Sequence, residues 1–141
     1  MQADIWELKI LRIYDLNVVP RRFFEQARDL KGWNLDRLYS YSSSICSNPC
    51  NLIYALHDEG RVIRGILWAR IDILSDELFV VLLSVDKEYQ GANGAAIDAA
   101  KLALEEVKRT AGLKRITFLT TRPKAYEKHG MKRTKAVIME V

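Results

Sequence analysis

One stretch of this sequence has the residue types and spacing to hold an anion: Val85-Asp86-Lys87-Glu88-Tyr89-Gln90-Gly91-Ala92-Asn93-Gly94-Ala95. An almost wholly apolar run, Leu78 to Val85, leads into a turn of small residues, and the turn opens a segment rich in Ala, Leu, Glu and Lys. The first N–H groups of a helix have no intrahelical partner and stand at the positive end of its dipole. Gly91, Ala92, Gly94 and Ala95 carry little side chain to keep a phosphate away from such amides. Two glycines in a turn would equally serve a tight strand-to-helix connection. Their place directly after a buried strand favours the anion site.

Other reactive side chains do not form a pattern of comparable strength. Cys46 and Cys50 are spaced more widely than a redox or zinc Cys-x-x-Cys, and His57 and His129 are far apart, so no metal site is expected. Asp72, Asp76 and Glu77 surround a turn and read as turn and surface carboxylates rather than a general base. His57 closes an apolar run and reads as structural. Trp33, Tyr39 and Tyr41 could line a pocket, though core packing accounts for such a cluster more simply.

Charge is distributed unevenly. Residues 108–141 hold ten Lys or Arg against two acids, a net of +8, whereas the first 107 residues hold twelve against sixteen, a net of −4. A basic C-terminal third suits an anionic partner, either a phosphorylated cofactor or nucleic acid, and suits a solvated basic face equally well. No recognisable nucleic-acid motif accompanies it, so nucleic acid is the less favoured partner. No uncharged apolar run of membrane-spanning length occurs, and the first residues do not read as a signal peptide, so the expected compartment is the cytoplasm.

The elements that must position the 85–95 stretch can be read from periodicity. The 141 residues suit one domain, 1–141. A first strand is predicted over Ile5–Ile13, a helix from Pro20 to Gly32, and a second helix from the N-cap candidate Asn34. Strands follow at Leu52–His57, Val62–Ile73 (with a bend at Gly65) and Leu78–Val85, the last buried on both faces in mid-sheet. A helix over Ala95–Ala111 presents Ile97, Ala100, Leu104, Val107 and Ala111 as an apolar stripe and stops at Gly112. Arg115–Thr120 then pairs parallel with Leu78–Val85, a short helix runs from Pro123 to Gly130, and Lys135–Val141 forms a last strand. The predicted class is α/β (α+β), a mixed, mostly antiparallel central sheet flanked by helices, in the order β-α-α-β-β-β-α-β-α-β.

With these residues in place, the chain resembles the GNAT superfamily of acyl-CoA-dependent N-acetyltransferases. The family pattern Val-x-Pro-x-Tyr-(Arg/Gln)-x-x-Gly-x-(Gly/Ala) is matched by Val85, Tyr89, Gln90 and Ala95. Lys87 stands where Pro is frequent and Asn93 where the first Gly is usual. Tyr126-Glu127-Lys128-His129-Gly130-Met131 is similar to the family's Tyr-Glu-Lys-x-Gly-Phe segment. The resemblance covers Leu52 to Val141 and is general over the first fifty residues.

The resemblance implies acetyl-CoA, or another short acyl-CoA, as donor, with no metal, and an amine of unidentified kind as acceptor. It implies that backbone groups of Leu83 and Val85 hold the thioester carbonyl and pantetheine arm. The 90–95 segment (Gln90, Gly91, Ala92, Asn93, Gly94, Ala95) would hold the pyrophosphate, and Tyr126 would be the general acid for the departing thiolate. Arg122, Lys124 or Lys128 would approach the phosphates. The acceptor could be a small amine, or an amine on a protein or tRNA. A non-catalytic module of the same fold, contacting nucleic acid or protein through its basic third, is the alternative. Monomer and homodimer are both compatible with the sequence.

Overall fold

The computed structural model describes residues 7–90, 95–120 and 123–141. Five strands form one sheet in the order β1-β2-β3-β4-β5. They are β1 (Lys9–Arg12), β2 (Asn51–His57), β3 (Ile63–Asp72), β4 (Glu77–Val85) and β5 (Arg115–Phe118). Pairing is antiparallel from β1 through β4, and β5 lies parallel to β4. The helices are α1 (Arg22–Lys31), α2 (Leu35–Ser40), α3 (Ser42–Ser47), α4 (Ala95–Ala111) and α5 (Pro123–Glu127).

Two cores hold the layers together. Phe23, Phe24, Leu35 and Leu38 from α1 and α2 pack with Ile53, Ile66, Trp68 and Leu82 of the sheet. Leu52, Leu56, Leu67, Leu78 and Val85 share the second core with Ala96, Ala100 and Leu104 of α4. The α4 stripe is rotated slightly from its predicted position, because Ala96 joins the buried face and Ala111 is exposed. Successive strand residues alternate between the two cores, so the long apolar runs of β2, β3 and β4 are explained by helices on both faces.

Most boundaries follow local chemistry. The Asn34 side chain accepts from the Arg37 N–H (3.1 Å) and starts α2 as an N-cap. The predicted second helix is in fact two short ones, interrupted at Tyr41. Gly112 sits at φ 68° just past α4, and the Leu113 N–H reaches back to the Lys108 carbonyl (2.9 Å). Beside the predicted bend at Gly65, the β2–β3 register shifts and leaves Arg64 as an extra residue on β3.

Among the described residues the predicted last strand does not form. Residues 131–141 pair with no described strand, and Val137, Ile138 and Met139 are 79%, 73% and 82% exposed. Three consecutive exposed side chains mean that both faces of the segment are uncovered. Strand propensity describes the segment but not whether a neighbour is there to bond it. Truncation after Thr134 is therefore expected to move Tm by no more than about 2 °C in a thermal melt. A fall above about 5 °C would show that the tail contributes to the folded sheet in solution.

Candidate cofactor cleft between the fourth and fifth strands

The site begins where two parallel strands part. β4 and β5 pair only from Glu77–Arg115 to Val80–Phe118, and β5 then ends while β4 continues to Val85. On its other edge β4 stays bonded to β3 along its whole length, with a register shift that makes Val81 a bulge residue. The bulge falls at the point of divergence. β4 thus has strands on both edges only over its first half, because among the described residues no strand pairs with its second edge beyond Val80.

The orientation of the freed backbone follows from alternation. The Asp86 N–H donates to the Arg64 carbonyl of β3 (2.8 Å), so residues 84 and 86 face β3. Leu83 therefore turns its N–H and C=O groups toward the opening and Val85 its N–H, while the Val85 C=O on the same side accepts from Gln90 Nε2. Backbone groups in such a place need partners, and an extended molecule carrying amides would supply them. This fits the pantetheine arm that the sequence resemblance implies. Val85 is buried at 7% exposure and Leu83 is half-buried.

Close contact with β3 fixes this end of β4. A Cβ on Gly65 would stand 2.5 Å from the Val85 Cγ1 and 2.8 Å from the Ser84 carbonyl oxygen, so only glycine fits. Gly65→Ala is expected to cost about 1–3 kcal/mol or more by overpacking against backbone that cannot turn away. Urea denaturation would measure it, and a neutral result would mean that the strands separate freely at this position.

The sequence-predicted residues fall at one end of the sheet. The Gln90 side chain folds back and donates Nε2 to the Val85 carbonyl (2.9 Å), which anchors the chain leaving β4. Ala95 is half-buried as the first residue of α4. Gly91, Ala92, Asn93 and Gly94 lie outside the described residues, as does Arg122. Tyr126, on α5, stacks edge-to-face on Phe118, the last residue of β5, with ring centroids 4.7 Å apart. Leu83, Val85, Gln90 and Ala95 thus belong to the β4 side of the opening, and Tyr126 to the β5 side.

The other candidates lie elsewhere or are occupied. Asp72, Asp76 and Glu77 sit on the β3–β4 hairpin, at the far end of β4. The Leu74 and Ser75 backbone N–H groups hold the Asp72 carboxyl below its ordinary pKa. Glu77 accepts from Thr117 Oγ1 and from Ser75 Oγ. His57 Nδ1 lies 2.9 Å from the Asp58 carbonyl oxygen. Trp33 packs edge-on against Trp68, and Tyr39 against Phe24, while Tyr41 is exposed. Cys46 and Cys50 are free thiols, and burial pushes the Cys46 thiol up, away from reactive thiolate. Among the described residues, no three His, Cys, Asp or Glu side chains gather to hold a metal, and no helix is long and apolar enough to cross a membrane.

The basic third is partly neutralised. Arg109 pairs with Glu106, Lys114 with Asp76, Arg115 with Glu77 and Arg133 with Glu127. Lys124 and Lys128 are exposed beside Tyr126 in the chain.

Solved structures match this arrangement over nearly its whole length. Aminoglycoside 6'-N-acetyltransferase AAC(6')-Ih from Acinetobacter baumannii is 10% identical with a TM-score of 0.73, covering 95% of this chain and 97% of its own. AAC(6')-Iy in complex with the bisubstrate analogue CoA-S-monomethyl-acetylneamine is 15% identical with a TM-score of 0.72, covering 96% and 97%. Glucosamine-6-phosphate N-acetyltransferase from Arabidopsis thaliana is 16% identical with a TM-score of 0.69, covering 95% and 97%. The fold is that of the GNAT acetyltransferases. No protein-family model and no curated protein sequence matches the chain. The GNAT fold is therefore visible in the arrangement of strands while sequence identity stays low.

Sequence reasoning missed one set of residues at this end of the sheet. Arg22, Asp58, Arg64 and Asp86 form a charged cluster beside the opening. Its members are as many as 64 residues apart, and no local pattern announces them.

Proposed function

We propose that this protein is an acetyl-CoA-dependent N-acetyltransferase that moves an acetyl group directly from the thioester to an amine. The observation that carries the reading is the parting of β4 and β5 after Val80 and Phe118, which leaves the Leu83 backbone and the Val85 N–H facing an opening. Acetyl-CoA supplies the activated acyl group. The β4 amides beside the thioester carbonyl stabilise the negative charge that grows on its oxygen as the amine attacks, a term that is large in a site closed to water. A C–N bond forms and the C–S bond breaks; the Tyr126 hydroxyl gives its proton to the leaving sulfur, and the proton lost by the amine nitrogen passes through water, which restores the tyrosine hydroxyl. A hydroxyl placed at the leaving sulfur can act as such a general acid. The N-terminal end of α4 receives the pyrophosphate, and Lys124 or Lys128 the remaining phosphate charge.

The acceptor follows less directly. The named neighbours act on amino groups of aminoglycosides and of a sugar phosphate, so a small amino sugar is the first class to test, followed by peptide and tRNA-linked amines. Calorimetric titration with acetyl-CoA, then a thiol-release assay across those acceptors, tests the reading. Saturable binding followed by acceptor-dependent release of free thiol supports it. Absence of binding at millimolar acetyl-CoA overturns it.

A further inference from the structure

Four charged side chains from separate parts of the chain meet where β4 ends. Asp86 is the first residue after the strand, and its side chain is only 11% exposed. Its two carboxylate oxygens accept from Arg22 Nε (2.9 Å) and Nη2 (3.0 Å), a two-pronged bond from the first residue of α1. Arg64 Nη1 stands 3.7 Å from Asp86 Oδ2, while Arg64 Nε donates to Asp58 Oδ2 (2.9 Å) in the β2–β3 turn. Arg64 is the bulge residue of β3, and the extra residue is what swings its side chain toward β4. Its guanidinium lies over the ring of buried Tyr89, 5.7 Å from the centroid.

The backbone of Asp86 is fixed as firmly as its side chain. Its N–H donates to the Arg64 carbonyl (2.8 Å), and its carbonyl accepts from the Tyr89 N–H (2.9 Å). One residue earlier, the Val85 carbonyl is held by the Gln90 amide. The direction in which the chain leaves β4 is therefore set by Asp86 and Gln90 before residue 91 is reached. A carboxylate this far from water is expensive unless fully partnered, and burying one is weak evidence for stability. Its advantage is geometric, because the planar guanidinium fork admits one orientation.

We infer that Asp86, clamped by Arg22 and Arg64, is a positioning residue of the candidate site: it fixes the 86–90 segment that leaves β4 and ties that segment to α1. The inference rests on the proposed function for the identity of the ligand, but not for the positioning itself. Asp86 touches no reacting atom and acts only through the backbone it holds. The same clamp makes α1, which stands on the opposite face from α4, part of the cofactor site.

Hydrogen–deuterium exchange on the full chain without ligand, and calorimetry with acetyl-CoA, test it in Asp86→Asn and in the milder Arg22→Lys. Ile53→Val, at a core position 1% exposed, serves as a control that loses stability without touching the clamp. In Asp86→Asn the amides of Tyr89 and Gln90 are expected to exchange about tenfold faster or more, as local opening becomes easier. The acetyl-CoA Kd and KM rise about tenfold, with kcat at saturating donor within about twofold, because misaimed donors weaken binding before they alter chemistry. Arg22→Lys shows a smaller change in the same direction, since it keeps the charge and loses the fork. Exchange at Tyr89 and Gln90 no faster than in Ile53→Val overturns the inference. If the unsubstituted protein fails to bind acetyl-CoA, the proposed function falls, and the exchange comparison still decides whether Asp86 positions that segment.

Discussion

Tyr126→Phe is expected to lower kcat about 100-fold while leaving the KM for acetyl-CoA within about twofold, the signature of a lost proton donor. The substitution keeps the ring, so the edge-to-face contact with Phe118 survives and α5 stays on the end of β5. Only the hydroxyl is removed, and with it the proton proposed for the leaving thiolate. Donors of varied leaving-group acidity sharpen the test. A more acidic thiol departs without help, so the loss should shrink for such a donor and grow for a basic one. Steady-state kinetics over these donors provides the measurement. An unchanged kcat would move the proton-donor role away from Tyr126 and leave its ring as packing for β5.

Phe24→Ala is expected to destabilise the protein by about 3–5 kcal/mol, a large part of the total stability of a domain this size. Phe24 is fully buried on α1 and meets Tyr39 of α2 edge-to-face, with centroids 5.8 Å apart. Its removal leaves a cavity between α1, α2 and the sheet that rigid strands cannot close. Urea denaturation followed by tryptophan fluorescence would read the change, because Trp33 and Trp68 pack against the same core. A loss below about 1.5 kcal/mol would mean that the helices collapse onto the vacated space. The effect also reaches the candidate site, since α1 carries Arg22 and its bond to Asp86.

Several elements could be read without coordinates because their causes are local. Asn34 starts α2 by bonding a nearby amide, and Gly112 ends α4 because only glycine accepts its φ cheaply. The run from Leu78 to Val85 reads as a strand buried on both faces, and the intervening helix suits the parallel pairing predicted with Arg115–Thr120, which the structure forms over Arg115–Phe118. Lys135–Val141 shows the limit. Its residues favour a strand, yet a strand exists only through bonds to a neighbour, and among the described residues none pairs with it.

The candidate site divides along the same line. Residue types alone pointed to Gly91, Ala92, Gly94 and Ala95, because a strand running into a turn and then a helix is continuous in the chain, whereas Leu83, Val85, Gln90 and Tyr126 came only with the resemblance to the GNAT superfamily. The sequence by itself determined most of the order of elements and suggested an anion-binding turn at 91–95, both products of local periodicity and of residues close together; that turn lies largely outside the described residues. Only the tertiary structure decided that β4 and β5 part after Val80 and that Gly65 must lie flat against Val85. It also decided that Arg22 closes on Asp86 across 64 residues. Those features depend on which distant segments share space, and that is set by the packing of the whole chain.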